Sequence, residues 1–188
     1  MSAERICFLR TERLCFSVWT PDDLPLARAL WGDPAVSRLI CASGRFSEQE
    51  IAARLALECR NGEQFGVQYW PVFTQDGQLV GCCGLRPHGA DWELGVHLRP
   101  AFWRQGYAVE AAEAAMAYAF GTLGAQRLFA GHHPDNTASR GLLAKLGFSF
   151  IGEEYYAPTG RMHPSYERRR EPAMQAAEAV QASEPAAR

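Results

Sequence analysis

The strongest constraint on the fold lies between residues 92 and 148. WELGVHL, Trp92–Leu98, has the length and apolar content of a strand and ends at Arg99-Pro100. After Gly106, the residues Val109, Ala112, Met116, Phe120 and Leu123 fall on one stripe of a helix. Arg127 to His132 reads as a second short strand, and Asn136 to Leu146 as a second helix stopped by Gly147. A strand–helix–strand unit of this kind needs a sheet with a helix packed on it.

The segments before it read as antiparallel. Leu14, Phe16 and Val18 alternate with Cys15, Ser17 and Trp19 at strand period, behind a lead-in over residues 1–13. Thr20-Pro21-Asp22-Asp23 starts a helix reaching about Trp31, and Ser47-Glu48-Gln49-Glu50 is a capping box ahead of Ile51, Leu55 and Cys59. Phe65 to Thr74 and Leu79 to Leu85 read as strands joined by the turn Gln75-Asp76-Gly77-Gln78, while Phe148 to Tyr156 and Met162 to Arg168 close the pattern. The expected fold class is α/β (α+β): one domain with a mixed, mostly antiparallel central sheet and helices on both faces. From Pro172 onward the chain is rich in Ala, Glu and Gln without an apolar stripe, so residues 170–188 read as a disordered tail.

Composition narrows the function classes. The chain has 188 residues, 47% hydrophobic and 21% charged, with a net charge of -2. That balance gives no basic footprint for nucleic acid, and no apolar run approaches the ~20 residues of a membrane span. MSAERICFLRTERL lacks a signal peptide's apolar core, so a cytoplasmic protein is expected. The six cysteines show no CxxC spacing, which argues for reduced, mostly buried thiols and against a metal site. Adjacent Cys82 and Cys83 should point to opposite faces of one strand.

The stretch FWRQGYAVEA, residues 102–111, carries the first functional signal. The leading N–H groups of a helix have no intrahelical acceptor and sit at the positive end of its dipole. If Arg104, Gln105, Gly106, Tyr107 and Ala108 curl about one point, their amides form a cradle that fits a pyrophosphate. Gly106 allows close approach, and Arg104 can add charge. The stretch matches neither a P-loop nor a dinucleotide fingerprint, and a glycine between strand and helix is also common without any ligand.

The pair ELGVHLRPAFWRQGYAVEA and NTASRGLLAKLGF, preceded by TERLCFSVWTPDDLPLARALWGDP, resembles the GNAT superfamily of acyl-CoA-dependent N-acetyltransferases. Within it the chain is similar to the RimJ/RimL-like branch, which acetylates protein N-terminal amines among other substrates. The resemblance spans roughly residues 8–169, the expected domain. It implies that the strands Trp92–Leu98 and Arg127–His132 splay apart at the middle of the sheet. Acetyl-CoA would enter that wedge, its pantetheine arm along Val96, His97 and Leu98, and its pyrophosphate on Arg104, Gln105, Gly106, Tyr107, Ala108 and Val109. Trp103 stands where the superfamily often has Arg or Gln, and an aromatic there fits the branch.

The implied reaction is direct attack of an amine on the thioester, which needs a base because amines are mostly protonated at neutral pH. The resemblance points to Glu93 as that base, acting through water. Glu153, Glu154, His132 and His133 are rivals, and a strand glutamate turned to solvent is the plain alternative. A backbone N–H near Val96 would face the developing oxyanion. Asn136 would bind the pantetheine or a water while also capping its helix. Ser139 would assist the thiolate, since the tyrosine acid of many members is replaced here by Leu143. Arg140 and Lys145 can reach phosphates or solvent.

The acceptor is expected between the early helices and the late hairpin, near Trp31, Arg38, Phe46, Tyr155, Tyr156 and His163. These residues favour no single amine. The leading reading is a peptide or protein N-terminal amine; a small-molecule amine, or a coenzyme-binding module without turnover, remains open. A homodimer also stays open.

Overall fold

The computed structural model describes residues 5–171. Most of the proposed tail therefore lies outside the described residues. Among the described residues eight strands form one sheet: β1 Leu9–Arg10, β2 Leu14–Phe16, β3 Tyr69–Thr74, β4 Leu79–His88, β5 Asp91–Leu98, β6 Arg127–Gly131, β7 Ser149–Tyr156 and β8 Arg161–Arg169. Their order across the sheet is β1-β2-β3-β4-β5-β6-β8-β7. Only β5 and β6 pair in parallel; the other neighbours are antiparallel. The mixed sheet expected from the element pattern is present.

Among the described residues there are five α-helices, α1 Leu24–Trp31, α2 Pro34–Ser37, α3 Glu48–Phe65, α4 Tyr107–Ala117 and α5 Thr137–Lys145, and α4 continues as a π-helical turn over Tyr118–Thr122. α1 and α3 cover one face, packing Trp31, Ile51 and Leu55 on Tyr69, Phe73 and Cys82. α4 and α5 cover the other, where Ala111, Ala112, Ala115 and Leu143 meet Trp70, Val80 and Cys83. Cys82 and Cys83 thus serve opposite faces. The alanines let α4 lie close to the sheet, and each large side chain buried in these layers contributes about 1.5–3 kcal/mol.

The capping box of α3 forms as its sequence predicts: Ser47 Oγ accepts from the Glu50 N–H at 3.3 Å, and Glu50 Oε2 accepts from the Ser47 N–H at 2.7 Å. Several boundaries differ from the sequence reading: β2 ends at Phe16 and not Trp19, and β4 runs on to His88. α3 continues through Phe65, because the stop is Gly66, whose φ of 70° is left-handed and whose N–H closes onto the Gly62 carbonyl. β3 accordingly starts at Tyr69, not Phe65. The lead-in over residues 1–13 contains β1, which pairs with β2.

The cysteine reading is corrected at one pair: Cys7 and Cys15 form a disulfide across eight residues, their Cα atoms 5.5 Å apart. β1 and β2 pair in a tight hairpin, which brings the two thiols within bonding reach. Cys41, Cys59, Cys82 and Cys83 are free. Burial pushes the Cys82 thiol up to about 12, so it stays protonated.

Candidate active site

The parallel pair at the centre of the sheet is short. β5 and β6 are in register only at Trp92–Leu128 and Glu93–Phe129, and beyond Glu93 the strands separate. On its other side β5 follows β4 from His88–Asp91 to Gly81–Leu98, and the ladder continues with the Arg99 N–H on the Val80 carbonyl. Hydrogen-bonding direction alternates along an antiparallel strand. With Arg99 bonded toward β4, so are His97, Gly95 and Glu93, while Leu94, Val96 and Leu98 turn their peptide groups toward the gap. The Leu98 carbonyl there accepts from the Trp103 indole N–H at 2.7 Å. Val96 therefore presents both an N–H and a C=O to the wedge.

His97 is placed apart from Val96 and Leu98. Its ring lies on the α1–α3 face, where Nδ1 accepts from Trp31 Nε1 at 3.4 Å. Burial, reinforced by Arg54 and Arg86, holds its pKa well below the ordinary histidine value, so the ring is neutral.

At the end of β5 the chain passes through Pro100–Phe102 and enters α4. Arg104 has φ 59° and Gly106 φ 84°, so the turn bends left-handed twice before the first helical residue, Tyr107. A side chain at Gly106 would be strained by that φ, and its Cβ would stand 3.3 Å from Arg13 Nη2. Arg13 braces the turn from outside. Its Nη1 donates to the Gln105 carbonyl at 2.9 Å, its Nε to Glu110 Oε2 at 2.6 Å, and its guanidinium carbon lies 4.2 Å from the Tyr107 ring centroid. Glu110 Oε1 also accepts from Thr11 Oγ1 and the Arg13 N–H. Arg104 and Gln105 are exposed, while Tyr107, Ala108 and Val109 are half-buried.

A cavity of about 280 Å³ opens between the splayed strands, α3, α5 and the β7–β8 hairpin. Glu93, Val96, His97, Asn136 and Ser139 line it together; Leu98 and the turn at residues 104–109 do not. The Tyr69 hydroxyl lies toward Glu93 and favours its ionised form. Burial raises the Glu93 carboxyl above the ordinary glutamate value, outweighing the opposing pull of Arg86, the Tyr69 hydroxyl, His88 and Arg54. The Tyr69 ring lies so close over Gly95 that any Cβ there would overlap it, which lets Tyr69 reach Glu93 across the strand.

Beneath Glu93 lies a set of charges not singled out from the sequence. Arg86 stands opposite Glu93 on β4. It is bound to the fully buried Glu58 of α3, with Nε 3.1 Å from Oε1 and Nη2 on the same oxygen, and its guanidinium carbon sits 4.1 Å from the Tyr69 ring centroid. Glu58 Oε2 accepts from the Tyr69 N–H at 2.9 Å. Arg54, one turn earlier on α3, also borders the cavity. The available signal was spacing: Arg54 and Glu58 fall on the apolar face of α3 with Ile51 and Leu55.

On the far wall, Asn136 Oδ1 accepts from the Ser139 N–H at 3.0 Å and caps α5. Both residues face the cavity, as does buried Leu143. His132 Nδ1 lies 2.8 Å from the His133 carbonyl and Nε2 3.2 Å from the Tyr166 hydroxyl, and both His132 and His133 line the cavity. His133 Nδ1 accepts from the Asp135 N–H at 3.2 Å. Burial, with His133 and His132 nearby, depresses His163 to about 4, and its Nε2 lies 2.7 Å from Thr159 Oγ1. Glu154 lines the cavity with Nε2 of His88 at 3.8 Å; Glu153 does not line it.

Of the acceptor residues read from sequence, Tyr155, Tyr156 and His163 line the cavity. Trp31 is fully buried, Phe46 flanks Arg54, and Arg38 is exposed and does not line the cavity, although the adjacent Leu39 and Ile40 do. Arg140 and Lys145 are exposed on α5.

The family described as "Acetyltransferase (GNAT) domain" matches residues 13–149, most of the described chain. The chain belongs to the GNAT acetyltransferase family. It is an acyltransferase of that family. It is 30% identical to the Uncharacterized N-acetyltransferase YoaA of Bacillus subtilis (strain 168) over 77% of this chain and 84% of the relative. An acetyltransferase from Agrobacterium tumefaciens str. C58 shares the fold with a TM-score of 0.75 at 22% identity, covering 90% of this chain and 96% of that one. The RimL ribosomal L7/L12 alpha-N-protein acetyltransferase in complex with coenzyme A does so with a TM-score of 0.67 at 17% identity, over 85% and 95% of the two chains. This GNAT domain has no helix among the described residues long and apolar enough to cross a membrane.

Proposed function

We propose that this GNAT domain transfers the acetyl group of acetyl-CoA to a primary amine by direct attack, with a peptide or protein N-terminal amine as acceptor. One observation carries the reading. The wedge opens immediately beyond Glu93, so a half-buried carboxylate of raised pKa stands where the two strands part. The residues fit the coenzyme on two counts: the double left-handed turn keeps the entrance to α4 clear of a Cβ at Gly106, and Val96 turns both peptide groups into the gap.

Acetyl-CoA supplies the acetyl group as a thioester. The N–H groups of Gly106, Tyr107, Ala108 and Val109, with those of Arg104 and Gln105, bind its pyrophosphate. Val96 and Leu98 orient the pantetheine arm. Glu93 Oε takes the proton of the incoming nitrogen, directly or through one water, and its raised pKa brings its basicity nearer to neutral pH. The Val96 N–H stabilises charge on the carbonyl oxygen, and Ser139 Oγ donates to the departing sulfur. Asn136 holds the α5 terminus that carries Ser139. The amine class is supported by the fold shared with the RimL L7/L12 alpha-N-protein acetyltransferase, whose name states that chemistry.

The test is thiol release from acetyl-CoA across a panel of N-terminal peptides and small amines. Turnover with the peptides, abolished by Glu93→Gln while acetyl-CoA affinity persists, is the expected result. Tight coenzyme binding with no turnover on any amine would overturn it.

A further inference from the structure

Glu58 and Arg54 occupy the same sheet-facing side of α3, yet their situations differ. Both Glu58 oxygens are committed, one to Arg86 and one to the Tyr69 N–H. Arg54 has no such partner. It forms no ion pair with any carboxylate among the described residues, and its Nε is buried without a hydrogen bond. What holds it is aromatic: its guanidinium carbon lies 5.1 Å from the Trp31 ring centroid and 5.4 Å from that of Phe46. Rings attract a cation but leave its N–H donors unsatisfied. Arg54 as a whole is half-buried, and the Nε that has lost water is costly unless an acceptor completes it.

Arg54 borders the same cavity as Glu93. The other arginine of that wall, Arg86, is already bound to Glu58. When Glu93 takes up the proton of an incoming amine, this wall loses a negative charge, while Glu58 stays bound to Arg86 and Glu154 lies on the β7–β8 side with His88 Nε2 at 3.8 Å. An anion delivered by the acceptor is then most stabilising as proton transfer proceeds. A single free guanidinium fork matches one carboxylate in planar, bidentate fashion, whereas a phosphate dianion calls for more donors than this wall offers.

We propose that Arg54 receives a carboxylate of the acceptor, so that the substrate is an amine that also bears a carboxylate. This rests on the acetyltransferase reading of the same site. Two sources share the chemistry: a free amino acid, and a peptide with Asp or Glu near its N-terminus.

The test is equilibrium binding to the coenzyme A-loaded full chain, measured by calorimetry on matched pairs. One arm compares a free amino acid with its carboxamide, the other an Asp-bearing peptide with its Asn counterpart. In at least one arm the carboxylate should bind tighter by about ten- to a hundredfold, the scale of a charge-assisted pair. Arg54→Gln should bring that ratio close to one, and Arg54→Lys should restore part of it. The arm that discriminates identifies the source. Equal binding of acid and amide by the unaltered protein in both arms overturns the proposal without any variant. So does a preference that survives Arg54→Gln in a protein that still melts cooperatively with coenzyme A. Acid-selective binding without transfer to any amine would sink the acetyltransferase reading and leave Arg54's role standing; transfer without selectivity would do the reverse.

Discussion

Glu93 and Arg86 face one another across the β4–β5 ladder, yet Arg86 is bound to Glu58. The distinction sets the chemistry of the site. An arginine closing directly on Glu93 would hold that carboxyl ionised and weakly basic. With Arg86 anchored from α3, burial wins and the Glu93 carboxyl is raised. Glu58 does not line the wedge; it positions the cation that faces Glu93.

Replacing Glu93 by Gln should cut kcat by about a hundred- to ten-thousandfold, the usual worth of a positioned base. The wild-type rate should climb with pH through the raised Glu93 value, and the variant should lose that limb. Stability should move oppositely. A carboxyl of raised pKa favours the fold when protonated, and that contribution fades as pH rises through its folded value. Glu93→Gln should therefore melt at or above wild type at pH 7 to 8. The gap should close below the ordinary glutamate range. Melting curves across pH, beside rate profiles, check both; a variant retaining the wild-type acid limb would remove Glu93 as the base.

Glu58→Gln should free Arg86 to approach Glu93. Leaving a buried guanidinium without its anion typically costs about 3–5 kcal/mol, so a large drop in unfolding free energy is expected. A merely structural role would stop there. The tuning role predicts in addition that the acid limb of kcat moves to lower pH, as Arg86 pulls the Glu93 carboxyl down. Denaturant melts and a pH–rate profile on the surviving folded fraction separate the two.

These residues show where sequence reading succeeds and where it runs out. The strand, turn and helix around Gly106 were legible because each leaves a local mark: apolar content, a glycine at a left-handed position, an alanine-rich stripe. Glu93 and Ser139 came through resemblance, and the cavity does bring them together. Arg54, Glu58, Tyr69 and Arg86 come from α3, β3 and β4, and their meaning arises only when α3 lies on the sheet. A charged pair on the apolar side of an amphipathic helix was their one local trace. The disulfide was missed because compartment was inferred from spacing, whereas pairing depends on the β1–β2 register. An apolar residue before Gly66 fits strand or helix from sequence alone, and at Phe65 the left-handed cap at Gly66 decides for the helix.

At the entrance to α4, Gly106→Ala should be enough to weaken the coenzyme site. A left-handed non-glycine residue costs about 1–2 kcal/mol, and the new Cβ would stand 3.3 Å from Arg13 Nη2. Gly106→Glu adds negative charge where the pyrophosphate is expected to sit. Acetyl-CoA affinity should fall modestly for alanine and be abolished for glutamate. Calorimetry with both variants checks this, and an unchanged Kd in Gly106→Glu would dismiss the cradle.

The brace behind that turn gives an acid-sensitive prediction. Burial tends to raise the Glu110 carboxyl, but hydrogen bonds from Thr11 and from the backbone and side chain of Arg13, together with that cation's charge, prevail and lower it. A depressed carboxyl stabilises the fold above its unfolded pKa and loses that contribution as pH falls through the folded value. The loss should therefore begin near the ordinary glutamate range and deepen below it. Because Arg13 Nη1 also holds the Gln105 carbonyl, weakening the brace should loosen the phosphate turn. Glu110→Gln should thus raise the Kd for acetyl-CoA several-fold at neutral pH and flatten the acid dependence of the melting temperature. Arg13→Met should copy the first effect, since it removes the same clasp from the other side. If both variants bind the coenzyme as wild type does, the contact of Arg13 with Gln105 has no part in shaping the turn.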